Sequence, residues 1–421
     1  MTDAPIAQGS KSCPVHFDHE TCEHAANWET EFRELRETCP RAWSDSHGGF
    51  WVATRLADIV AVAQRTDAFS THKVLDPVTG EGRGGVSLPP VPGVRGIPNE
   101  ADSPEWDGIR GFINRRFAPR SVEQRRERTH QLTAALIDRV IEQGQFDIVE
   151  DLTNPLPALV TMDIFGFPLD EWRAFAEPFH KMMYTPARDP GMVDTIREIE
   201  HFHRRLDEEV ALRRREPADD LLTYLATGKI DGEPLDNETL HNLAFNLMVG
   251  GIDTTTALTS NALIHLSRHP DQRQRLIDEP ELLPLACEEF VRYFSPIHGL
   301  ARNATQDVEV DGWRIQKGDR VLLAYAAGNR DPEAFDDPDE VRLDRFPNRH
   351  VGFGAGMHRC LGSFLARMMF QEMMTAVLSR MPDYHVIEKA LVRYPSIAKA
   401  NGWIHIPASF TPGPKVGAVI A

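Results

Sequence analysis

The chain has 421 residues, 41% hydrophobic and 26% charged, and its 46 Lys plus Arg against 63 Asp plus Glu give a formal net charge of −17. That balance is ordinary for a folded globular protein and excludes disordered, collagen-like and low-complexity chains. A negative field also excludes nucleic acid or an anionic membrane surface as a broad partner, because both need a positive one.

Lys11, His16, Asp18 and Glu20 interrupt the first thirty residues, which read as neither signal peptide nor membrane anchor. No apolar run approaches the roughly 18 residues of a membrane span, so the expected location is the cytoplasm. The cysteines Cys13, Cys22, Cys39, Cys287 and Cys360 are odd in number and lack Cys-x-x-Cys spacing. Neither a disulfide scaffold nor a structural zinc site is expected, and any cysteine chemistry is expected to use a single thiol.

No repeat and no linker divides the chain, which predicts a loose polar arm over residues 1–25 and one domain over 26–421. A short strand is expected at 50–52 and a helix around 59–62. Residues 76–99 are dense in Gly and Pro and predict a long loop, a length usually reserved for lids and binding loops. Ser103-Pro104-Glu105 reads as a helix start, with Ser103 as cap and Pro104 at the first helical position.

Amphipathic helices are predicted at about 122–144, 170–183 and 192–215. Asp236 or Asn237 caps a long helix that keeps its apolar period to His269-Pro270. Gly250-Gly251 lies in its middle, where each glycine costs roughly 1 kcal/mol relative to alanine and calls for compensation. Further helices are expected at about 282–294 and from Cys360 to Arg380, and strand-like pieces, such as 308–315 and 321–323, are few. The predicted class is mainly α with a minor β part.

The most specific segment is residues 353–362, Phe-Gly-Ala-Gly-Met-His-Arg-Cys-Leu-Gly. Two glycines free the backbone for a tight loop, and the reading sets Cys360 at a helix N-terminus, where unpaired N–H groups favour a thiolate fit to ligate a metal. This segment resembles the haem-binding loop F-G-x-G-x-H-x-C-x-G of the cytochrome P-450 superfamily at every fixed position. Glu289-Phe290-Val291-Arg292 is similar to the family's ExxR motif, and Asn329-Arg330-Asp331-Pro332 with Phe335 and Pro338 to the region that completes its ion-pair network. Gly250-Gly251-Ile252-Asp253-Thr254 resembles the oxygen-activating stretch, Asp253 standing as the acid and Thr254 as the alcohol, with a local kink leaving room for dioxygen.

The resemblance spans roughly residues 28–407 and implies a triangular, mainly α fold holding heme b between the long central helix and the Cys360 helix. Cys360 is then the iron ligand, while Phe353, Gly354, Gly362 and Gly250 contact the cofactor. Arg110, Arg302 and His358 are the implied propionate partners, and Trp106 stands where bacterial members often carry His. The implied activity is monooxygenation of a small hydrophobic molecule, terpenoid, steroid, fatty acyl or aromatic, with electrons from a ferredoxin and an NAD(P)H-dependent reductase. Peroxide-driven turnover and a haem-thiolate sensor are the alternatives, and the acid-alcohol pair counts against both.

By family position the substrate pocket is expected to draw on residues 86–98, 172–184, Asn246, Val249, Ile297, His298 and Ile397, with Asn246 and His298 as polar anchors. Between Arg110 and Arg128 seven arginines face two glutamates, a local balance of +5. An acidic ferredoxin is therefore expected to dock near Arg115, Arg116 and Arg120, with Arg359 and Arg367 adding charge, on a monomeric enzyme.

Overall fold

The computed structural model describes residues 13–186 and 189–420. Among the helices that frame it are α1 (Cys22–Thr38), α2 (Glu105–Ile113), α3 (Arg126–Val140), α4 (Pro155–Phe165), α5 (Trp172–Tyr184), α6 (Gly191–Arg215), α7 (Asn237–Arg268), α8 (Leu283–Phe294) and α9 (Ser363–Arg380). No helix among the described residues is long and apolar enough to cross a membrane.

The spine is α7. Asp236 caps it by accepting the Thr239 N–H at 2.6 Å, and Pro270 follows its last residues, where a ring in place of an N–H starts a new helix. Its apolar residues Leu243, Met248, Ile252 and Leu258 join one core with α4, α8 and α9, including Leu159, Met162, Phe290, Met369 and Met373. The helix α4 is buried on nearly all sides, which its almost uninterrupted apolar sequence allows.

Away from this helical layer lies a six-stranded sheet of β1 (Pro14–Val15), β2 (Arg41–Ser44), β3 (Phe50–Ala53), β4 (Phe69–Ser70), β5 (Leu300–Ala304) and β6 (Arg320–Leu323). Its order is β1-β2-β3-β6-β5-β4, with β3 and β6 parallel in the register Trp51 to Val321. A second core under the sheet gathers Phe17, Trp28, Phe32, Phe50, Val52 and Leu322. The hairpin Val308–Val310 with Trp313–Ile315 supplies the strand expected at 308–315.

Several expectations are corrected. Of the arm predicted over residues 1–25, the first twelve lie outside the described residues, but from Cys13 on the chain is built in: β1 pairs with β2, and Phe17 is buried. Cys13 and Cys39 are joined as a disulfide, so not every cysteine acts as a single thiol. Ser103 does not cap α2, whose cap position is Pro104 without a side-chain hydrogen bond. The helix expected at 122–144 is broken into Pro119–Glu123 and α3. The helix expected from Cys360 begins three residues later, at Ser363.

Candidate active site

Residues 353–362 form a tight loop ahead of α9. Gly354 and Gly356 have φ of 73° and 69°, the left-handed region that glycine enters at no steric cost, and the Cys360 N–H donates back to the Phe353 carbonyl at 2.8 Å. The Cys360 sulfur opens into the main cavity. Its burial in the fold pushes the thiol up, while the Gly362 N–H and the charges of Arg110, Arg367 and Arg359 pull the other way. Cys360 lies three residues ahead of the first residue of α9, and a bound metal would displace its proton.

The cavity, about 340 Å³, is lined by Asn246, Val249, Gly250 and Thr254 of α7, by Met182 and Met183 of α5, and by Val86, Leu88 and Val91 of the long loop. Ile297, Arg302, Phe353, Gly354, His358, Cys360 and Gly362 complete the predicted set that meets there. His298 does not face it. That imidazole is buried 4.4 Å from the Trp28 ring and close to His24 and Phe32, so the expected polar anchor is a member of the sheet-side core. Ile397 is also buried in that core, and its neighbours Ala398 and Lys399 reach the cavity instead.

Four donors cluster here: Arg302 and His358 line the cavity, and Trp106 and Arg110 stand behind His358. Arg302 is buried and gives one N–H to the Ala301 carbonyl at 2.9 Å, and Arg110 gives one to the Arg359 carbonyl at 2.9 Å. His358 Nε2 meets Thr71 Oγ1 at 3.1 Å, while its Nδ1 is buried without a partner. Trp106 Nε1 is likewise buried and unpartnered, with the Trp106 and His358 rings 5.9 Å apart. Burial and Arg302 lower the imidazole to about 4. Two orphaned polar atoms beside two guanidinium groups are what a dianionic cofactor edge would satisfy, and with the Cys360 sulfur in the same cavity the residues fit haem.

The paired glycines of α7 have different reasons. Gly250 faces open cavity, whereas a Cβ on Gly251 would come within 2.7 Å of Thr161 Oγ1, so Gly251 lets α7 pack onto α4. Through these glycines α7 keeps its helical assignment from Asn237 to Arg268. The Thr254 hydroxyl lines the cavity and donates to the Gly250 carbonyl at 3.0 Å. Asp253, one residue earlier, turns away from it. Its Oδ1 is 2.6 Å from His180 Nδ1 of α5 and accepts from Tyr394 Oη at 3.3 Å, and its side chain is fully buried. Sequence reasoning missed both partners, which lie 73 and 141 residues from Asp253.

Glu289 and Arg292 pair as expected from their spacing, and the structure adds Arg345, whose Nε sits 3.0 Å from both Glu289 oxygens. Arg292 also donates to the carbonyls of Asn329, Pro338 and Glu340, which ties α8 to the chain leading into the Cys360 loop.

The basic stretch is less positive than its sequence. Arg116 faces Asp219, Arg125 and Arg128 face Asp163, and Arg126 is held by Glu123 and Glu372. Arg367 is bound to Glu288. Among the described residues of the stretch, Arg115 and Arg120 are exposed and make no ion pair, and Arg359 is exposed at the Cys360 loop.

A family model described as Cytochrome P-450 matches residues 190–382. Cytochrome P-450 130 of Mycobacterium tuberculosis is 32% identical over 82% of this chain and 84% of its own length. A protein named steroid C26-monooxygenase, from Mycolicibacterium smegmatis, is 31% identical over 75% of this chain and 80% of its own. The crystal structure of CYP109E1 from Bacillus megaterium in complex with testosterone superposes with a TM-score of 0.82 at 27% identity, covering 93% of this chain and 100% of that one.

Proposed function

This chain belongs to the cytochrome P-450 family and is a heme b monooxygenase, and from that premise we propose that it hydroxylates an apolar small molecule, terpenoid, steroid, fatty acyl or aromatic, using ferredoxin-borne electrons. The observation that carries the reading is one apolar cavity holding both the Cys360 sulfur and the Thr254 hydroxyl. When bound, the haem supplies dioxygen activation, which a cysteine thiolate ligand drives toward O–O cleavage.

The chain's own residues supply the rest. Arg110, Arg302, His358 and Trp106 would hold the propionates as donors, and Gly250 keeps α7 free of a side chain where it borders the cavity. Thr254 would orient a proton inside the cavity, with Asp253 as the acid behind it. Phe353, Gly354 and Gly362 shape the loop that presents Cys360. Val249, Ile297, Met182 and Met183 exclude water around the substrate, as an apolar pocket does. Asn246 accepts from Asn99 Nδ2 at 3.5 Å, which leaves its own amide to read a substrate oxygen. A steroid-sized substrate is supported by the names of the related C26-monooxygenase and of the testosterone complex.

The electron donor in this reading is an acidic ferredoxin that meets Arg115, Arg120 and Arg359, with Arg116 at the margin, and is served by an NAD(P)H-dependent reductase. The enzyme acts as a cytoplasmic monomer. Turnover with ferredoxin, reductase and NAD(P)H over a steroid, terpenoid and fatty acid panel tests it, with isotopically labelled dioxygen as the oxygen source. One labelled oxygen per product is expected; turnover with hydrogen peroxide but none with the electron chain would make it a peroxygenase, and no turnover with either would favour a sensor.

A further inference from the structure

The acid behind Thr254 is held by a histidine. His180 Nδ1 lies 2.6 Å from Asp253 Oδ1, Tyr394 Oη lies 3.1 Å from the same nitrogen, and the opposite His180 nitrogen and Asp253 Oδ2 are both buried without partners. The backbone around His180 is fixed from outside: Lys399 Nζ donates to the Met182 and Thr185 carbonyls at 2.9 and 2.7 Å, pinning the end of α5. The next residues on that helix, Met182 and Met183, line the cavity.

The titratable and charged groups facing His180 are Asp253 from α7, Tyr394 from the segment after Arg393, Tyr184 and Glu177 from α5, and Glu150 from the turn ahead of α4. Burial would lower the imidazole, but Asp253, then Glu150 and Glu177, outweigh it and raise its proton affinity. A base whose folded proton affinity is raised keeps its charge above the ordinary imidazole range and loses it only as pH rises through the raised value.

We infer that His180 is the positioning residue for Asp253: it clasps the carboxylate against α5 and Tyr394 and holds it apart from the cavity. This rests on the reading of Asp253 as the acid behind Thr254. Nothing is transferred to substrate by His180. Met182 and Met183 share its helix, so the clasp and one wall of the cavity belong to a single element.

The test uses haem-loaded enzyme. In the diamagnetic ferrous carbon-monoxide form, nitrogen NMR of labelled histidines, with His180 assigned by its loss in His180→Gln, is expected to titrate above the ordinary imidazole value in the wild type and clearly lower in Asp253→Asn, where only the weaker pull of Glu150 and Glu177 still opposes burial. Equal titration in the two proteins overturns the clasp. In turnover, product formed per NAD(P)H is expected to fall as pH rises through the His180 titration. His180→Gln is expected to lower turnover roughly tenfold and flatten that profile, and His180→Lys to restore the charge-dependent part. If Asp253→Asn itself leaves coupling unchanged, the acid reading fails; if Asp253→Asn uncouples while His180→Gln keeps the wild-type ratio and pH profile, the clasp alone fails.

Discussion

Glu289 and Arg292 are joined by two hydrogen bonds, 2.7 and 2.8 Å long, and neither side chain reaches solvent. The same carboxylate takes the Arg345 guanidinium, Asn348 Nδ2 and the Arg342 N–H. A buried charge satisfied this fully costs little to keep and much to break, since removing one partner strands the others in a medium of low polarity.

Glu289→Gln is therefore expected to destabilise the fold by about 3 kcal/mol or more, because two buried guanidinium groups lose their shared counter-charge. Urea unfolding of the purified protein measures it. A change within about 0.5 kcal/mol, the range of an ordinary surface substitution, would mean that the carbonyls around Arg292 and Arg345 suffice.

Cys360→Ala is expected to lose the haem-thiolate band of the reduced carbon-monoxide complex, and Cys287→Ala to keep it. Cys287 is sealed in the core, where burial pushes its thiol far up, whereas the Cys360 sulfur opens into the cavity. An unaltered band in Cys360→Ala would overturn the ligand assignment.

Trp106→Phe removes a buried N–H that has no acceptor in the protein. If that donor meets a haem propionate, its loss costs about 1.5–3 kcal/mol, the worth of a hydrogen bond to a charged group. Faster haem transfer to an excess of apomyoglobin, by about tenfold or more, is the expected result. An unchanged transfer rate would place the propionate out of reach of the indole.

Arg115→Glu and Arg120→Glu are expected to slow reduction by ferredoxin and to flatten its dependence on salt, with the carbon-monoxide spectrum unaffected. Exposed charges act beyond contact only within about 8 Å at physiological ionic strength, so a docking patch must show such salt dependence. Arg116→Glu should do less, since Arg116 already lies 3.7 Å from Asp219 and over the Tyr224 ring. Equal stopped-flow rates at low salt for all three would put the docking surface elsewhere.

What the sequence determined by itself is whatever depends on neighbours in the chain. The loop at 353–362 was legible because its glycines, His358 and Cys360 act within ten residues, and Asp236 and the Glu289–Arg292 pair because caps and one-turn spacings are set by helix geometry alone. Tertiary structure decided the rest. Arg345 reaches Glu289 across 56 residues, and His180 and Tyr394 close on Asp253 across 73 and 141. His298 turned from cavity to core because Trp28 of α1 packs on it, and several arginines after Arg110 are balanced by Asp163, Asp219 and Glu372. Periodicity states which side of a helix a residue is on, but not what the fold brings to that side. Buried charges take the partner that the packing of distant segments puts within reach, and that information is spread over the whole chain.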